Sequence, residues 1–258
     1  MELKDAVAVI TGGTGGIGQA LARAFLAEGA RSVVVSDLDP DRVAAVAAEI
    51  GCLGLACDVT DESQVEHLVE SVLDEHGPID LFCSNAGSTA PGVLTDAPNE
   101  SWQQQWELHV MSHVYAARAV LPSMIARGQG YLLNTASAAG LLAAIPSGPY
   151  SVSKAAAIKL AEMLAITHGD DGIGVSVLCP QGVNTAMAPQ GLADGGTDGI
   201  IEAGELAEVV VAALRDERFH VLPHPEVAEY IKRKADDPDR WLRGMRRLKA
   251  RAEQLEQR

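Results

Sequence analysis

The sequence predicts an α/β protein, a sheet of parallel strands covered on both faces by helices. Three observations predict it. Short runs rich in β-branched residues alternate with stretches of helical periodicity along the chain. A glycine-rich turn, Thr11-Gly12-Gly13-Thr14-Gly15-Gly16-Ile17-Gly18, joins the first such run to the first helical stretch. Aromatic residues make up only 4% of the chain while 47% is apolar, so Ala, Val, Leu and Gly must fill the core. That composition suits helices packed closely over strands buried on both sides. With 258 residues, one domain over 1–258 is expected, with an irregular loop at about 186–204 and a helical extension at about 225–258.

Val7-Ala8-Val9-Ile10 is the first strand, and the glycine turn that follows lets backbone N–H groups approach a pyrophosphate at the positive end of a helix. Leu21, Ala24 and Phe25 continue that helix, and Gly29 ends it. Ser32-Val33-Val34-Val35-Ser36 is the second strand and stops at Asp37. A carboxylate about twenty residues beyond such a turn accepts hydrogen bonds from the adenosine ribose and repels a 2′-phosphate. NAD is therefore expected in preference to NADP, and Leu38 adds no cation. Asp39 reads as an N-cap and Pro40 as the first helical residue, which leaves Asp37 free for the ribose.

Val43, Val46, Ala47 and Ile50 face inward on the next helix, which Gly51 closes. Leu53-Gly54-Leu55-Ala56-Cys57 then leads into Asp58-Val59, where Asp58 either meets the adenine amino group or caps the turn. Thr60 is expected to open a helix with Val65, Leu68, Val69, Val72 and Leu73 inward. The fourth strand, Ile79-Asp80-Leu81-Phe82-Cys83-Ser84, runs into Asn85-Ala86-Gly87, where Asn85 is expected to tie neighbouring strands together. A long helix over 101–124 precedes the fifth strand, Gly130-Tyr131-Leu132-Leu133-Asn134-Thr135, which delivers Ser137 to the edge where open parallel sheets bind ligands.

Tyr150-Ser151-Val152-Ser153-Lys154 opens the next helix. A phenol and an ammonium four residues apart share one helical face, and Lys154 is expected to favour ionisation of Tyr150. Val175-Ser176-Val177-Leu178-Cys179 is the sixth strand, closed by Pro180-Gln181-Gly182-Val183-Asn184-Thr185. A helix over 205–214, an edge strand at Phe219-His220-Val221-Leu222 and a final helix faced by Trp241, Met245 and Leu248 complete the chain.

The net charge of −15 argues against nucleic acid or an anionic membrane as partner. From Ile231 onward ten Lys/Arg face five Asp/Glu, a local +5 that leaves −20 on the rest. No apolar stretch reaches the roughly eighteen residues of a membrane span, and no signal-peptide pattern precedes the first strand, so a soluble cytoplasmic protein is expected. Cys52, Cys57, Cys83 and Cys179 form no C-x-x-C pair and are expected to be reduced thiols, with no metal bound.

Together, T-G-x-x-x-G-x-G at Thr11 to Gly18, N-A-G at Asn85 to Gly87, the strand-end Ser137 and Y-x-x-x-K at Tyr150 to Lys154 resemble the short-chain dehydrogenase/reductase family over about residues 5–222. The resemblance implies a Rossmann-type, doubly wound, seven-stranded parallel sheet of order 3-2-1-4-5-6-7, and an NAD-dependent alcohol dehydrogenase. It implies NAD contacts at Gly12, Thr14, Gly15, Gly16, Ile17, Gly18, Asp37, Leu38, Asp58, Val59, Asn85, Ala86, Gly87, Tyr150, Lys154, Pro180, Gln181, Val183 and Thr185. Tyr150 would act as general acid/base, Ser137 would hold the substrate oxygen, and Lys154 would bind the nicotinamide ribose while assisting Tyr150. Thr185 would meet the carboxamide.

Two positions depart from the family pattern. His109 stands where an Asn is usual, and would preserve a proton relay, even giving it a pH dependence. Gln181 replaces a usual Gly beside the expected nicotinamide. The substrate pocket is expected from Ala138, Leu141, Leu142, Ile145, Tyr150, Met187 and the loop to Ile200, and no Lys or Arg lies between Arg127 and Lys154 or between Lys159 and Arg215. A hydrophobic secondary alcohol or its ketone is therefore expected. The alternatives are an NADPH-dependent carbonyl or oxoacyl reductase, and a catalytically silent nucleotide-binding sensor or scaffold. The family also implies a homotetramer or dimer, with close helix approach at Ala155, Ala156, Ala157 and Ala161.

Overall fold

The computed structural model describes residues 1–89, 92–188 and 198–256. Strands β1 (Val7–Thr11), β2 (Ser32–Asp37), β3 (Leu53–Ala56), β4 (Leu81–Ser84), β5 (Gly130–Thr135), β6 (Ile173–Leu178) and β9 (His220–Val221) form one seven-stranded parallel sheet, ordered β3-β2-β1-β4-β5-β6-β9. This is the expected order, with β9 as the seventh strand. A separate parallel pair joins β7 (Gly182–Val183) to β8 (Ile200–Ile201). The expected loop over 186–204 begins between them, and its residues 189–197 lie outside the described residues.

Alternation along β1 shows why both faces need helices. Val7 and Val9 point into one core with Val65, Leu68 and Val72 of α3 (Glu62–His76), Val120 and Met124 of α5 (Ser112–Arg127), and Ala157 and Ala161 of α7 (Gly148–His168). Ala8 and Ile10 point the other way, against Leu21 and Phe25 of α1 (Gly16–Ala27) and Leu206, Val210 and Leu214 of α8 (Ala203–Arg215). Period-two side chains on a fully covered strand make every residue of β1 buried. At the sheet edge β3 has one neighbouring strand among the described residues, β2, and its side chains are mostly exposed.

Local signals set most boundaries. Asp39 caps α2 (Pro40–Ile50) by accepting from the N–H groups of Asp41 and Arg42, and Gly51 ends it in the left-handed region. One boundary differs: Asp61, not Thr60, caps α3, because its carboxylate accepts from the Ser63 N–H. The helix expected over 101–124 runs from α4 (Asn99–Trp106) through a π-helical stretch (Glu107–Met111) into α5. The expected final helix is two, α9 (Glu226–Asp236) and α10 (Pro238–Glu256), broken ahead of Pro238. Ala157 and Ala161 are inside the core, so the expected use of both in a subunit contact does not hold. Ala155 of the same set is exposed, as are the larger apolar residues Val152, Met163 and Ile166 of α7. Among the described residues no helix is long and apolar enough to cross a membrane.

Candidate active site

At the carboxyl edge of the sheet a groove of about 1070 Å³ runs from the glycine turn to Tyr150. The turn is shaped by close backbone approach. Gly12 has φ +63°, and a Cβ there would lie 2.7 Å from the Cα of Ala86; at Gly18 it would lie 2.4 Å from the Gly12 carbonyl. No side chain at Gly15 caps α1, so the first N–H groups of the helix face the groove.

Asp37, at the end of β2, reaches back to this turn. Its Oδ2 accepts from Thr14 N at 3.1 Å and Thr14 Oγ1 at 2.5 Å, and its Oδ1 accepts from Leu38 N at 2.9 Å. Arg42 of α2 donates from Nη2 to the Thr14 carbonyl at 3.1 Å and lines the same end of the groove. The sequence weighed cations only at the turn and beside Asp37; Arg42 comes within reach because it sits one helical turn beyond the Asp39 cap. Asp58 lines the groove and caps its turn, its Oδ1 accepting from Thr60 N at 2.9 Å and Thr60 Oγ1 at 2.6 Å. Asn85 ties three strands: its Nδ2 donates to the carbonyls of Thr11 and Gly12, and its Oδ1 accepts from Thr135 Oγ1 at 3.2 Å.

Ser137 is the N-cap of the short helix α6 (Ala138–Leu141), accepting from Ala139 N at 3.1 Å. Its Oγ donates to the Pro180 carbonyl at 3.4 Å, and its nearness to the Tyr150 phenol lowers that group's pKa, but burial outweighs it and the pKa stands above its ordinary value. Lys154 is buried, and its Nζ donates to the Thr135 carbonyl at 2.8 Å and sits 5.8 Å from the centre of the Tyr150 ring. Burial lowers the Lys154 pKa to about 7. The expected aid from Lys154 to ionisation of Tyr150 is outweighed by burial, which keeps the phenol's pKa above its ordinary value. Beneath them the Cys179 thiol is pushed up to about 12 by burial, with Lys154 opposing.

His109 lies in the π-helical stretch, fully buried, its ring edge-on to Tyr150 with centroids 5.5 Å apart. Ser153 Oγ gives its single hydrogen to the Tyr150 carbonyl at 3.0 Å, so the 3.0 Å contact with His109 Nδ1 has the imidazole as donor. Nε2 is then the acceptor for the Ser88 N–H at 3.3 Å. Burial, with Lys154 next in weight, holds His109 far below its ordinary pKa. The imidazole is therefore a neutral, doubly hydrogen-bonded ring, and the expected pH dependence has no titrating group there. His113, one turn on, is also buried, and neither ring nitrogen has a hydrogen-bond partner among the described residues. Burial and Lys154 lower its pKa to about 3.

Every position named from the sequence for cofactor contact lines this groove, as does Ser137, whereas His109 stands behind its wall. Gln181 is anchored by its N–H, which donates to Nδ1 of buried His224 at 3.3 Å. Thr185 stands over the helix start, its Cγ2 2.6 Å from where a Gly16 Cβ would be. Among the apolar substrate candidates only Tyr150 and Met187 line the groove; Ala138, Leu141, Leu142 and Ile145 do not. A polar wall from α4 and the π-helical stretch, Glu100, Gln103, Gln104 and Glu107, was missed. Its signal was the polar face of that helix.

These residues fit a dinucleotide: glycines where a Cβ would collide, exposed helix N–H groups and a carboxylate at the ribose end. A family model described as short chain dehydrogenase matches residues 6–194. The 1-deoxy-11-beta-hydroxypentalenate dehydrogenase of Streptomyces exfoliatus is 34% identical over 250 residues, covering 92% of this chain and 90% of its own. The meso-2,3-butanediol dehydrogenase of Serratia marcescens is 32% identical over 200 residues, 75% of this chain and 79% of that one. A short chain dehydrogenase/reductase from Burkholderia phymatum, solved in complex with NAD, superposes with a TM-score of 0.84 at 26% identity, covering 93% of this chain and 96% of that chain. L-sorbose reductase from Gluconobacter frateurii, complexed with NADPH and L-sorbose, gives 0.76 at 29% identity, covering 86% and 95%.

Proposed function

This chain belongs to the short-chain dehydrogenase family, and on that premise we propose that it is an NAD-dependent oxidoreductase interconverting a hydrophobic secondary alcohol and its ketone. The observation that carries the proposal is the meeting of Ser137, Tyr150 and Lys154 at one end of a groove whose other end holds the glycine turn and Asp37. A bound nicotinamide dinucleotide supplies the hydride acceptor for oxidation and the donor for reduction.

Ser137 holds the substrate oxygen. In reduction Tyr150 gives its phenol proton to the carbonyl oxygen, a role its raised pKa suits at neutral pH, and in oxidation it takes the alcohol proton as its own phenol proton passes on. Lys154, with a pKa near 7, gives or takes a proton at the same pH. His109 positions this pair by locking Ser153 against the first turn of α7. The relatives, a 1-deoxy-11-beta-hydroxypentalenate dehydrogenase and a meso-2,3-butanediol dehydrogenase, support an alcohol as substrate. Exposed Val152, Met163 and Ile166 on α7 support assembly with further copies of the chain.

One observation favours the NADPH reading. Arg42 places a guanidinium at the adenosine end of the groove, and one structural relative carries NADPH. Asp37, a carboxylate held on Thr14 at the same end of the groove, supports NAD instead. Steady-state rates with both cofactors on a panel of hydrophobic secondary alcohols test the proposal. Higher kcat/KM with NAD is expected; equal or better turnover with NADP transfers the assignment to the reductase.

A further inference from the structure

Gln181 puts a long amide side chain where the family usually has glycine, and its backbone is held from both sides. The peptide unit joining it to Pro180 presents its carbonyl to Ala138 N at 2.9 Å and to Ser137 Oγ at 3.4 Å. The N–H of the same unit donates to Nδ1 of buried His224 at 3.3 Å. Gly182 and Val183, next in the chain, pair with Ile200 and Ile201. Gln181 therefore stands one peptide plane from Ser137, and both line the groove together with Tyr150 and Met187.

Other polar side chains of the groove are engaged by the protein itself. Ser137 Oγ accepts from Ala139 N and donates to the Pro180 carbonyl, Lys154 Nζ donates to the Thr135 carbonyl, and Thr185 Oγ1 accepts from the Met187 N–H at 3.2 Å. Asn85 is engaged at both ends of its amide by the strand ends. Gln181 differs. Its Oε1 is buried with no hydrogen-bond partner, and among the described residues no other that lines the groove has such an atom. A buried acceptor left open destabilises the folded chain, so one kept in a binding groove calls for a donor from outside the chain. A carboxylate has no proton to give an amide oxygen, and Lys154 at the same end of the groove opposes an ammonium. The donor that fits is a hydroxyl.

We propose that Gln181 is a specificity-determining residue, and that the substrate carries a second hydroxyl on the carbon next to the reacting carbinol: a 1,2-diol, or in the reverse direction the matching α-hydroxy ketone. The inference rests on the alcohol–ketone function proposed above. The second hydroxyl donates to Gln181 Oε1 while the first is held at Ser137 and Tyr150. In oxidation the carbinol C–H bond breaks, its hydrogen and electron pair pass to NAD⁺ as hydride, and the carbinol proton leaves through Tyr150 to solvent. The second hydroxyl is unchanged. Gln181 touches no reacting atom; it favours substrates that close its open acceptor over those that leave it open.

The test uses sets of three secondary alcohols on phenyl, cyclohexyl and decalin scaffolds, assayed on the full chain with NAD. Within a set the neighbouring carbon carries a hydroxyl, a methoxy group or hydrogen alone. For at least one scaffold the diol should exceed both others about tenfold or more in kcat/KM. The methyl ether, which cannot donate, should gain nothing over the plain alcohol. In Gln181→Met, which keeps the length of the side chain and removes the amide, the members of that set should turn over alike; thermal melts check that the variant is folded. Equal turnover of diol and plain alcohol by the unaltered chain on every scaffold overturns the inference and leaves the alcohol–ketone function intact. A methyl ether as good as the diol, or a diol preference that survives in Gln181→Met, overturns it too. Failure of every alcohol in the panel removes the alcohol–ketone function, and the inference with it.

Discussion

Replacing Lys154 by methionine should abolish turnover yet stabilise the protein, with a gain that depends on pH in one direction. Lys154 is 3% exposed and donates to the Thr135 carbonyl at 2.8 Å. Burial lowers its pKa from the ordinary 10.5 to about 7. A displacement of that size corresponds to roughly 5 kcal/mol of penalty on the charged form. Methionine keeps the reach of the side chain and removes the charge, but it forfeits a hydrogen bond from a charged donor worth about 1.5–3 kcal/mol. The difference, roughly 2–3 kcal/mol, amounts to about 5–10 °C in Tm for a chain of this size. Between about pH 7 and 10.5 the unfolded chain holds a proton that the folded protein has released, so wild-type stability rises with pH across that window. The penalty is fully present below the folded value and fades as pH climbs toward the unfolded one. Thermal melts of both proteins from about pH 6 to 10 should show the gap closing as pH rises. A gap that is flat, or that widens toward high pH, would refute the role assigned to charge burial at Lys154.

Three further outcomes follow from the site. Tyr150→Phe should lose about 10²–10⁴-fold in kcat while NADH still binds, as read by its fluorescence; near wild-type turnover would remove the phenol from the chemistry. Asp37→Ala deprives the Thr14 N–H and hydroxyl of their acceptor and removes the negative charge at the end of the groove that Arg42 also lines. Its kcat/KM ratio for NAD over NADP should fall at least about tenfold, and an unchanged ratio would take Asp37 out of cofactor selection. Because burial keeps His109 neutral, His109→Asn should leave the shape of the pH–rate profile unchanged from about pH 5 to 9; a limb that vanishes in the variant would restore the titrating relay.

What the sequence by itself determined was whatever depends on local backbone pattern. Seven short runs of strand character, the cap at Asp39, the left-handed Gly51 and the glycine turn were legible because each is set by neighbouring residues. Asp37, Asn85, Ser137 and Tyr150 were legible for a related reason: a parallel sheet delivers the ends of its strands to one edge, so position in a strand implies position in the groove. Protonation states and remote partners were not. The π-helical stretch that turns His109 inward, the burial that lowers Lys154 and raises Tyr150, and the orphaned His113 all depend on what surrounds a side chain from other elements. Lys234 meets Leu141 across 93 residues of sequence, and Gln181 meets His224 across 43. No local period encodes such distances. Desolvation and long-range contact exist only once helices from both ends of the chain close over the sheet, and there the tertiary structure decided the charge of the site.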